Sequence, residues 1–189
     1  MRIISGTFRG ARLPQLPKAQ LRPTAERVRE ALFSILGSDV CGVAVLDLFA
    51  GTGSLGYEAL SRGAKSVTLV EKEVRLANKL VEFRQNMQLS HDVTVLNMDA
   101  ARAVNLLAKR EIRFGLIFLD PPYDSNWISM LFASDYFLGL ISSGGLIAVE
   151  RTRFNQDIIG SGKIKLEKTF SRKYGSSVLE IFRSTKSQD

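Results

Sequence analysis

The sequence predicts a doubly wound α/β fold, built on a mostly parallel sheet of seven strands. Short, near-continuous apolar runs alternate with longer helical segments, which is typical of parallel strands covered by helices on both faces. The last segment, KIKLEKTFSRKYGSSVLEIF, differs because it alternates apolar and polar residues on both sides of Gly175. It predicts an antiparallel closing hairpin.

The chain opens with a segment of another character. RIISGTFRGARLPQL alternates apolar and polar residues around glycines, which indicates a short basic arm or hairpin within residues 1–20. In RPTAERVREALFSIL, apolar residues recur at helical spacing and Thr24 stands at an N-cap position, so a helix is predicted. Residues 21–189 form the core, and the whole chain, 1–189, is expected to be one domain.

The core elements follow in regular alternation. Strands are predicted over VAVLDLF, SVTLVE, DVTVLNMD, FGLIFLD and GGLIAVE. Helices are predicted over GSLGYEALSRG, KEVRLANKLVEFRQNMQL, AARAVNLLAKRE and NWISMLFASDYFLGL. In such a fold, ligands are expected at the carboxyl ends of the strands.

Composition excludes several classes of protein. The 189 residues are 45% hydrophobic and 24% charged, as in soluble globular proteins, and no apolar stretch is long enough for a membrane span. The charged, glycine-interrupted N-terminus is not that of a secretory signal. Cys41 is the single cysteine, so neither an internal disulfide nor a zinc cluster is expected, and no metal site is predicted. The expected location is the cytoplasm.

The net charge of +7 is concentrated at the two ends of the chain. Residues 1–35 carry seven Lys and Arg against two acids, and residues 151–189 carry nine against four, which leaves residues 36–150 at −3. Basic ends around a mildly acidic centre indicate a polyanionic partner, and nucleic acid is the expected one.

A glycine loop follows the first core strand. In DLFAGTGSLG, Gly51, Gly53 and Gly56 match G-x-G-x-x-G, a spacing that lets the backbone turn tightly and approach a ligand. NAD-binding folds share this spacing, but Asp47 before the loop is poorly matched to a pyrophosphate. A carboxylate there suits a ligand with a charged amine and no phosphates, such as S-adenosylmethionine (SAM).

Two further acids end the next strands. Glu71 could accept from both hydroxyls of a ribose, and Asp99 could accept from the amino group of an adenine. The alternative for each acid is a helix N-cap or a solvated turn.

The fourth strand ends in DPPY, and two consecutive prolines cannot continue a central strand. Beside a methyl donor, the Asp120 carboxylate and the Pro121 carbonyl would accept from the two N–H groups of an exocyclic base amine. They would thereby direct its lone pair at the methyl carbon. The prolines would hold these acceptors rigidly, and Tyr123 offers a ring for a flipped-out base.

The motifs DLFAGTG and DPPY together resemble the class I SAM-dependent methyltransferases of nucleic-acid amines, which have a Rossmann-like fold. With RIISGTFRGARL, RPTAERVREALFSIL and RKYGSSVLEIF, the sequence resembles the RsmD family over essentially its whole length. The resemblance implies methyl transfer to N2 of a guanine in 16S rRNA of the small ribosomal subunit. The partner is then 16S rRNA in a small-subunit ribonucleoprotein particle, bound by a monomer.

The resemblance also implies site residues. The SAM contacts are expected at Asp47, Phe49, Ala50, Gly51, Thr52, Gly53, Glu71, Lys72, Asp99 and Ala100, with Thr24 near the methionine moiety. The catalytic clamp is expected at Asp120, Pro121, Pro122 and Tyr123. RNA contacts are expected at Arg2, Arg9, Arg12, Arg22, Arg172 and Lys173.

Three alternatives stay open. A DNA adenine-N6 methyltransferase uses a similar clamp, but it normally needs a separate module to read the major groove, and here the core uses nearly all of the chain. An NAD-dependent oxidoreductase would explain the glycines and leave DPPY without a role. A catalytically silent RNA-binding module would not need an intact clamp.

Overall fold

The computed structural model describes residues 1–14, 23–122, 126–151 and 164–186, without the side chains of residues 23–25 and 186. The strands are β1 (Ala44–Asp47), β2 (Ser66–Val70), β3 (Val93–Leu96), β4 (Phe114–Leu119), β5 (Ile141–Arg151), β6 (Ile164–Tyr174) and β7 (Ser177–Lys186). The α-helices are α1 (Pro23–Leu36), α2 (Ser54–Ser61), α3 (Val74–Asn86), α4 (Ala100–Lys109), α5 (Trp127–Phe132) and α6 (Asp135–Leu138), and a 3-10 turn spans Gly37–Val40.

The seven strands form one sheet in the order β3-β2-β1-β4-β5-β7-β6. Neighbours from β3 to β5 are parallel, whereas β7 is antiparallel to both β5 and β6. The predicted fold class, including the antiparallel closing hairpin, is confirmed. The chain reverses its direction of travel across the sheet between β1 and β4, and this is where doubly wound folds bind ligands.

Helices cover both faces of the sheet, and each face has its own hydrophobic core. In β4, Leu116 and Phe118 pack into the core shared with α1 and α2, while Ile117 and Leu119 pack into the core shared with α4 to α6. Because side chains alternate along a strand, Asp120 continues the series of Leu116 and Phe118, on the face covered by α1 and α2.

Most predicted elements differ from the structure by a few residues at their ends, and one of them is divided. The helix expected over residues 126–140 is two short helices, because the Ser134 hydroxyl accepts from the Phe137 amide at 3.4 Å and starts α6 anew. Strand β5 begins at Ile141 rather than Gly144, and its register with β4 shifts between Phe114 and Leu116.

The N-terminal segment is docked on α2 rather than forming a regular hairpin. Arg2 and Arg12 form one isolated antiparallel bridge, and Ile3 is buried in the core. The backbone amides of Ile4 and Ser5 donate to the two carboxylate oxygens of Glu58, at 2.7 and 3.0 Å. Glu58 is fully buried and also bonds to Arg62 of the next turn. The segment is therefore fixed by hydrogen bonds to a buried charge as well as by apolar packing.

Candidate active site

A cavity of about 340 Å³ opens at the carboxyl edge of β1, β2, β3 and β4. This volume lies within the range of small-molecule sites. Its lining joins residues from four strand ends: Leu48, Phe49, Gly51, Val70, Glu71, Lys72, Met98, Asp99, Ala100, Asp120, Pro121, Pro122 and Trp127. The cavity thus contains residues of both sequence motifs, the glycine loop and DPPY.

The glycine loop is held against the end of β2 by a carboxylate. Gly51 has φ +54°, and its amide donates to Oε2 of Glu71 at 2.9 Å. Gly53 has φ +75°, and a Cβ there would come within 2.7 Å of the Tyr57 ring. Both positions therefore favour glycine. The backbone is left-handed at each of them, and a side chain at Gly53 would also lack space.

Glu71 and Asp99 line the cavity and also accept hydrogen bonds from backbone amides. Oε1 of Glu71 accepts from the Glu73 amide at 2.7 Å, and Asp99 caps α4 by accepting from the Arg102 amide at 2.9 Å. A carboxylate oxygen can accept more than one hydrogen bond, so both acids still have lone pairs to offer a ligand.

Asp47 lies beneath the loop. It is 1% exposed, and its Oδ2 accepts from the Gly56 amide at 3.1 Å, while Oδ1 makes no well-formed hydrogen bond with any described residue. Burial raises the pKa of Asp47 to about 7, against the opposing effect of the Gly56 and Phe49 amides. Asp47 thus supports the loop from below and does not line the cavity.

Asp120 stands at the end of β4 on the cavity wall, with Pro121 and Pro122 beside it. Its pKa is raised to about 7, first by desolvation and then by repulsion from Glu150 and Asp47. Solvent reaches this carboxyl through the open cavity, so water offsets part of the effect until a substrate enters. A carboxyl in this setting is stabilised by any N–H donor that fills the cavity.

Two aromatic rings form part of the wall. Phe49 and Trp127 meet edge to face, with their centroids 5.6 Å apart, and both line the cavity. Trp127 was not among the predicted site residues, and neither were Leu48, Val70 and Met98. Met98 stands directly before Asp99, and Trp127 follows DPPY closely, so proximity to the motifs was the available signal.

Several predicted cofactor residues lie in the loop without lining the cavity. Ala50 and Gly53 are buried, and the Thr52 hydroxyl contacts the Met1 sulfur at 3.9 Å. Tyr123 and Arg22 lie outside the described residues, as does the side chain of Thr24. The cofactor and clamp roles of all these residues stay predictions.

The predicted RNA-binding residues form two exposed groups. Arg2, Arg9 and Arg12 are exposed on the N-terminal segment, whose Met1 lies beside the glycine loop. Arg172 and Lys173 are exposed at the end of β6, which runs parallel to β5 and therefore ends at the carboxyl edge of the sheet. The Arg172 guanidinium lies over the Tyr174 ring, 5.5 Å from its centroid.

Comparison with known proteins shows to which family the chain belongs. The model of the family described as Conserved hypothetical protein 95 matches residues 1–183. The chain belongs to this family. It is 37% identical over 162 residues to ribosomal RNA small subunit methyltransferase D of Escherichia coli, and the match covers 86% of this chain and 77% of that protein. The resemblance to the RsmD family is thereby confirmed.

Solved structures agree with the family at the level of the fold. The yhhF protein of Escherichia coli has a TM-score of 0.78 and 28% identity, with 98% of both chains covered. SMU.776, solved in complex with SAH, has a TM-score of 0.69 and 19% identity, and covers 86% of this chain and 50% of its own. Membership of the RsmD family explains the glycine spacing as a methyltransferase motif, so the oxidoreductase alternative is not favoured.

Proposed function

We propose that this chain is a SAM-dependent rRNA methyltransferase, which methylates N2 of a guanine in 16S rRNA of the small ribosomal subunit. One observation carries the proposal above the others. A single cavity joins the loop and acids suited to SAM with the Asp120, Pro121 and Pro122 clamp suited to an exocyclic amine. Donor and acceptor of the methyl group would therefore meet within one space.

The cofactor half of the cavity fits an adenosine carrying a charged methionine. Glu71 offers acceptors for the ribose hydroxyls, and Asp99 offers one for the adenine amine, while Phe49 and Trp127 supply apolar surface. A protein of the same fold binds SAH, the demethylated form of SAM. When bound, SAM would supply a methyl group on a sulfonium: an N–C bond would form, the C–S bond would break with its electron pair left on sulfur, and the amine would release one proton.

The clamp half acts on the base. The Asp120 carboxylate and the Pro121 carbonyl are acceptors for the amine N–H groups, and the two prolines fix their direction. The amine becomes positive as it is methylated, so a nearby carboxylate stabilises the developing charge. Asp120 is suited to this role because burial and the nearby Glu150 and Asp47 destabilise its charge, which a partner that donates a hydrogen bond or carries positive charge would stabilise.

The relatives and the surface both favour RNA over DNA as the substrate. The similar Escherichia coli protein is named as a ribosomal RNA small subunit methyltransferase, and a DNA adenine methyltransferase is not favoured. Among the described residues, the N-terminal segment and the β6–β7 hairpin lie outside the parallel part of the fold that forms the cavity, and both carry exposed Arg or Lys. Such small basic surfaces fit a substrate recognised by shape, such as rRNA folded in a small-subunit particle in the cytoplasm.

A substrate assay tests this function directly. The enzyme is incubated with methyl-labelled SAM and, in parallel, naked 16S RNA, small-subunit particles or DNA, and the methylated nucleoside is identified by mass spectrometry. We expect N2-methylguanosine from RNA, and the comparison of naked RNA with particles identifies the assembly state that is used. N6-methyladenosine from DNA would overturn the proposal.

The clamp is tested by Asp120→Ala. Turnover should fall by roughly 10² or more, as for the loss of a well-placed stabilising group, while SAM binding changes little. Trp127 is the single tryptophan of the chain and lines the cavity, so its fluorescence should report SAM binding in both proteins. Unchanged turnover would remove Asp120 from the reaction. Glu167→Gln, at an exposed position on β6, is the control.

A further inference from the structure

A second carboxylate stands beside the clamp, on a strand that the motifs did not include. Leu119 of β4 is paired with Val149 of β5 in parallel register, so the next residues, Asp120 and Glu150, are lateral neighbours. Neighbouring strands lie about 4.8 Å apart, and aligned residues point to the same face of a sheet. The two carboxyl groups therefore stand side by side at the carboxyl edge.

The contacts of Glu150 differ from those of the other strand-borne acid nearby. Glu180 of β7 is ion-paired with Arg151 at 2.7 Å and Lys168 at 2.9 Å, as expected for a buried structural carboxylate. Glu150 is half-buried and instead takes a hydrogen bond from the Ser177 hydroxyl. This bond favours the ionised form against burial, which raises the pKa of Glu150. Glu150 thus stands outside the cavity lining, on the β5 side of Asp120 and away from the cofactor half, with lone pairs left for a donor.

The chemistry of the bases decides what two adjacent acceptors select. In guanine, the ring nitrogen N1 beside the exocyclic amine carries a hydrogen and is a donor. In adenine and cytosine, the ring nitrogen beside the amine is an acceptor, which a carboxylate would repel. A clamp that binds an exocyclic amine accepts any of these bases, whereas a carboxylate beside it distinguishes them.

We propose that Glu150 is the specificity-determining residue of this site, which accepts the N1–H of the target guanine while Asp120 accepts from its N2 amine. The proposal rests on the proposed function and adds the reason for the choice of base. It also gives a reason for the acid at the penultimate position of β5, beside the clamp. Loss of the N1–H would leave a buried carboxylate without its donor, and such losses are costly to binding and turnover.

The test uses 2,6-diaminopurine, which keeps the N2 amine of guanine but has an acceptor at N1. It is placed by ligation at the nucleotide that the substrate assay identifies, in the preferred RNA or particle. The wild-type enzyme should methylate guanine with a kcat/KM at least tenfold above that for diaminopurine, as for loss of a hydrogen bond to a charged group. Equal rates would overturn the role of Glu150 and leave the proposed function standing.

Two variants make the test specific. Glu150→Gln can donate to the N1 of diaminopurine, so the guanine preference should fall by at least tenfold, whereas Glu150→Ala should lose guanine activity without gaining diaminopurine activity. The control Glu167→Gln should keep the wild-type ratio. An equal fall of both rates in Glu150→Gln, with SAM binding by Trp127 fluorescence intact, would show a merely structural residue and overturn the proposal. Absence of guanine methylation in the wild type would instead count against the proposed function itself.

Discussion

Asp47 is a buried acid whose position is costly to the folded state. It is 1% exposed, accepts a hydrogen bond from the Gly56 amide, and has a pKa raised to about 7 from its ordinary 3.8. A raised pKa means that the folded chain holds the proton more tightly than the unfolded chain between these values. The free energy of unfolding therefore falls as the pH rises through this window, and the loss is complete above about 7.

We expect Asp47→Asn to be more stable than the wild type at pH 8, because the amide keeps an oxygen for Gly56 and removes the buried charge. The Tm should rise by several degrees, since 1 kcal/mol shifts the Tm of a chain of this size by about 2–4 °C. The gain in Tm should shrink toward pH 4, where the wild-type carboxyl is protonated and therefore also uncharged. Calorimetry at both pH values measures this, with the exposed Glu30→Gln as the control. A variant less stable at pH 8 would contradict the prediction.

Single residues differ in how far the sequence predicts their place. Glu71, Asp99 and Asp120 follow apolar strands, and the structure brings all three to one cavity because parallel strands end at one edge. Glu150 also ends a strand, yet no neighbouring motif distinguishes it from an ordinary surface acid. Its significance comes from its register with Asp120, and register is a property of the sheet rather than of either strand's sequence.

At the scale of elements, the N-terminal segment depends on one close backbone approach. Gly6 has φ +82°, and a Cβ there would lie 1.8 Å from the Ser61 carbonyl oxygen on α2. Gly10, in the same segment, has a similar φ of +86° but nothing within 4 Å of a Cβ. The two glycines therefore separate the effect of backbone strain from the effect of contact with α2.

We expect Gly6→Ala to displace the segment from α2 and Gly10→Ala to leave it docked. Left-handed backbone costs an alanine about 1–2 kcal/mol at either site, and only Gly6→Ala adds a clash with backbone that cannot rotate away. Amide hydrogen exchange at Ile4 and Ser5, which donate to Glu58, measures docking. Equal protection in the two variants would show that the clash does not govern docking.

Element boundaries were predictable where the local signal was strong. The apolar strands around the clamp were located closely because near-continuous apolar runs end at polar residues. The helix over residues 126–140 was wrong as a single element, since its apolar residues continue past Ser134 while the Ser134 side chain starts a new helix. Whether a serine caps or stays within a helix depends on tertiary packing, which periodicity does not contain.

Across the whole molecule, the cavity and a group of basic residues occupy different parts of the carboxyl edge of the sheet. The cavity lies at the ends of β1 to β4, and the exposed Arg172 and Lys173 stand at the end of β6, on the other side of the clamp. The N-terminal segment approaches the same edge through Met1, which contacts Thr52. Tyr174, whose ring lies beneath Arg172, and the N-terminal Phe8 pack against the same core cluster, so Arg172 and the N-terminal segment lie toward one face. A folded RNA could thus contact both groups while one flipped base enters the clamp.

This arrangement predicts which charges bind phosphate. Arg9→Gln with Arg12→Gln, and separately Arg172→Gln with Lys173→Gln, should each weaken RNA binding and flatten its salt dependence. Each lost phosphate contact should change the slope of log K against log salt by roughly 0.7–0.9. The matched control, Lys109→Gln with Arg110→Gln, neutralises two exposed residues at the end of α4, on the opposite face of the sheet from the N-terminal segment.

Fluorescence anisotropy over a salt series measures the binding, and it distinguishes nonspecific attraction to the net charge from contact with particular residues. All three double variants remove the same net charge, so a purely nonspecific attraction would flatten the three slopes equally. RNA contact at the N-terminal segment and at the end of β6 flattens two slopes and spares the control, because screening confines a surface charge to a range of about 10 Å at 0.1 M salt. A control slope that falls as far as the others would contradict an RNA surface formed by these two groups, whatever the activity of the variants.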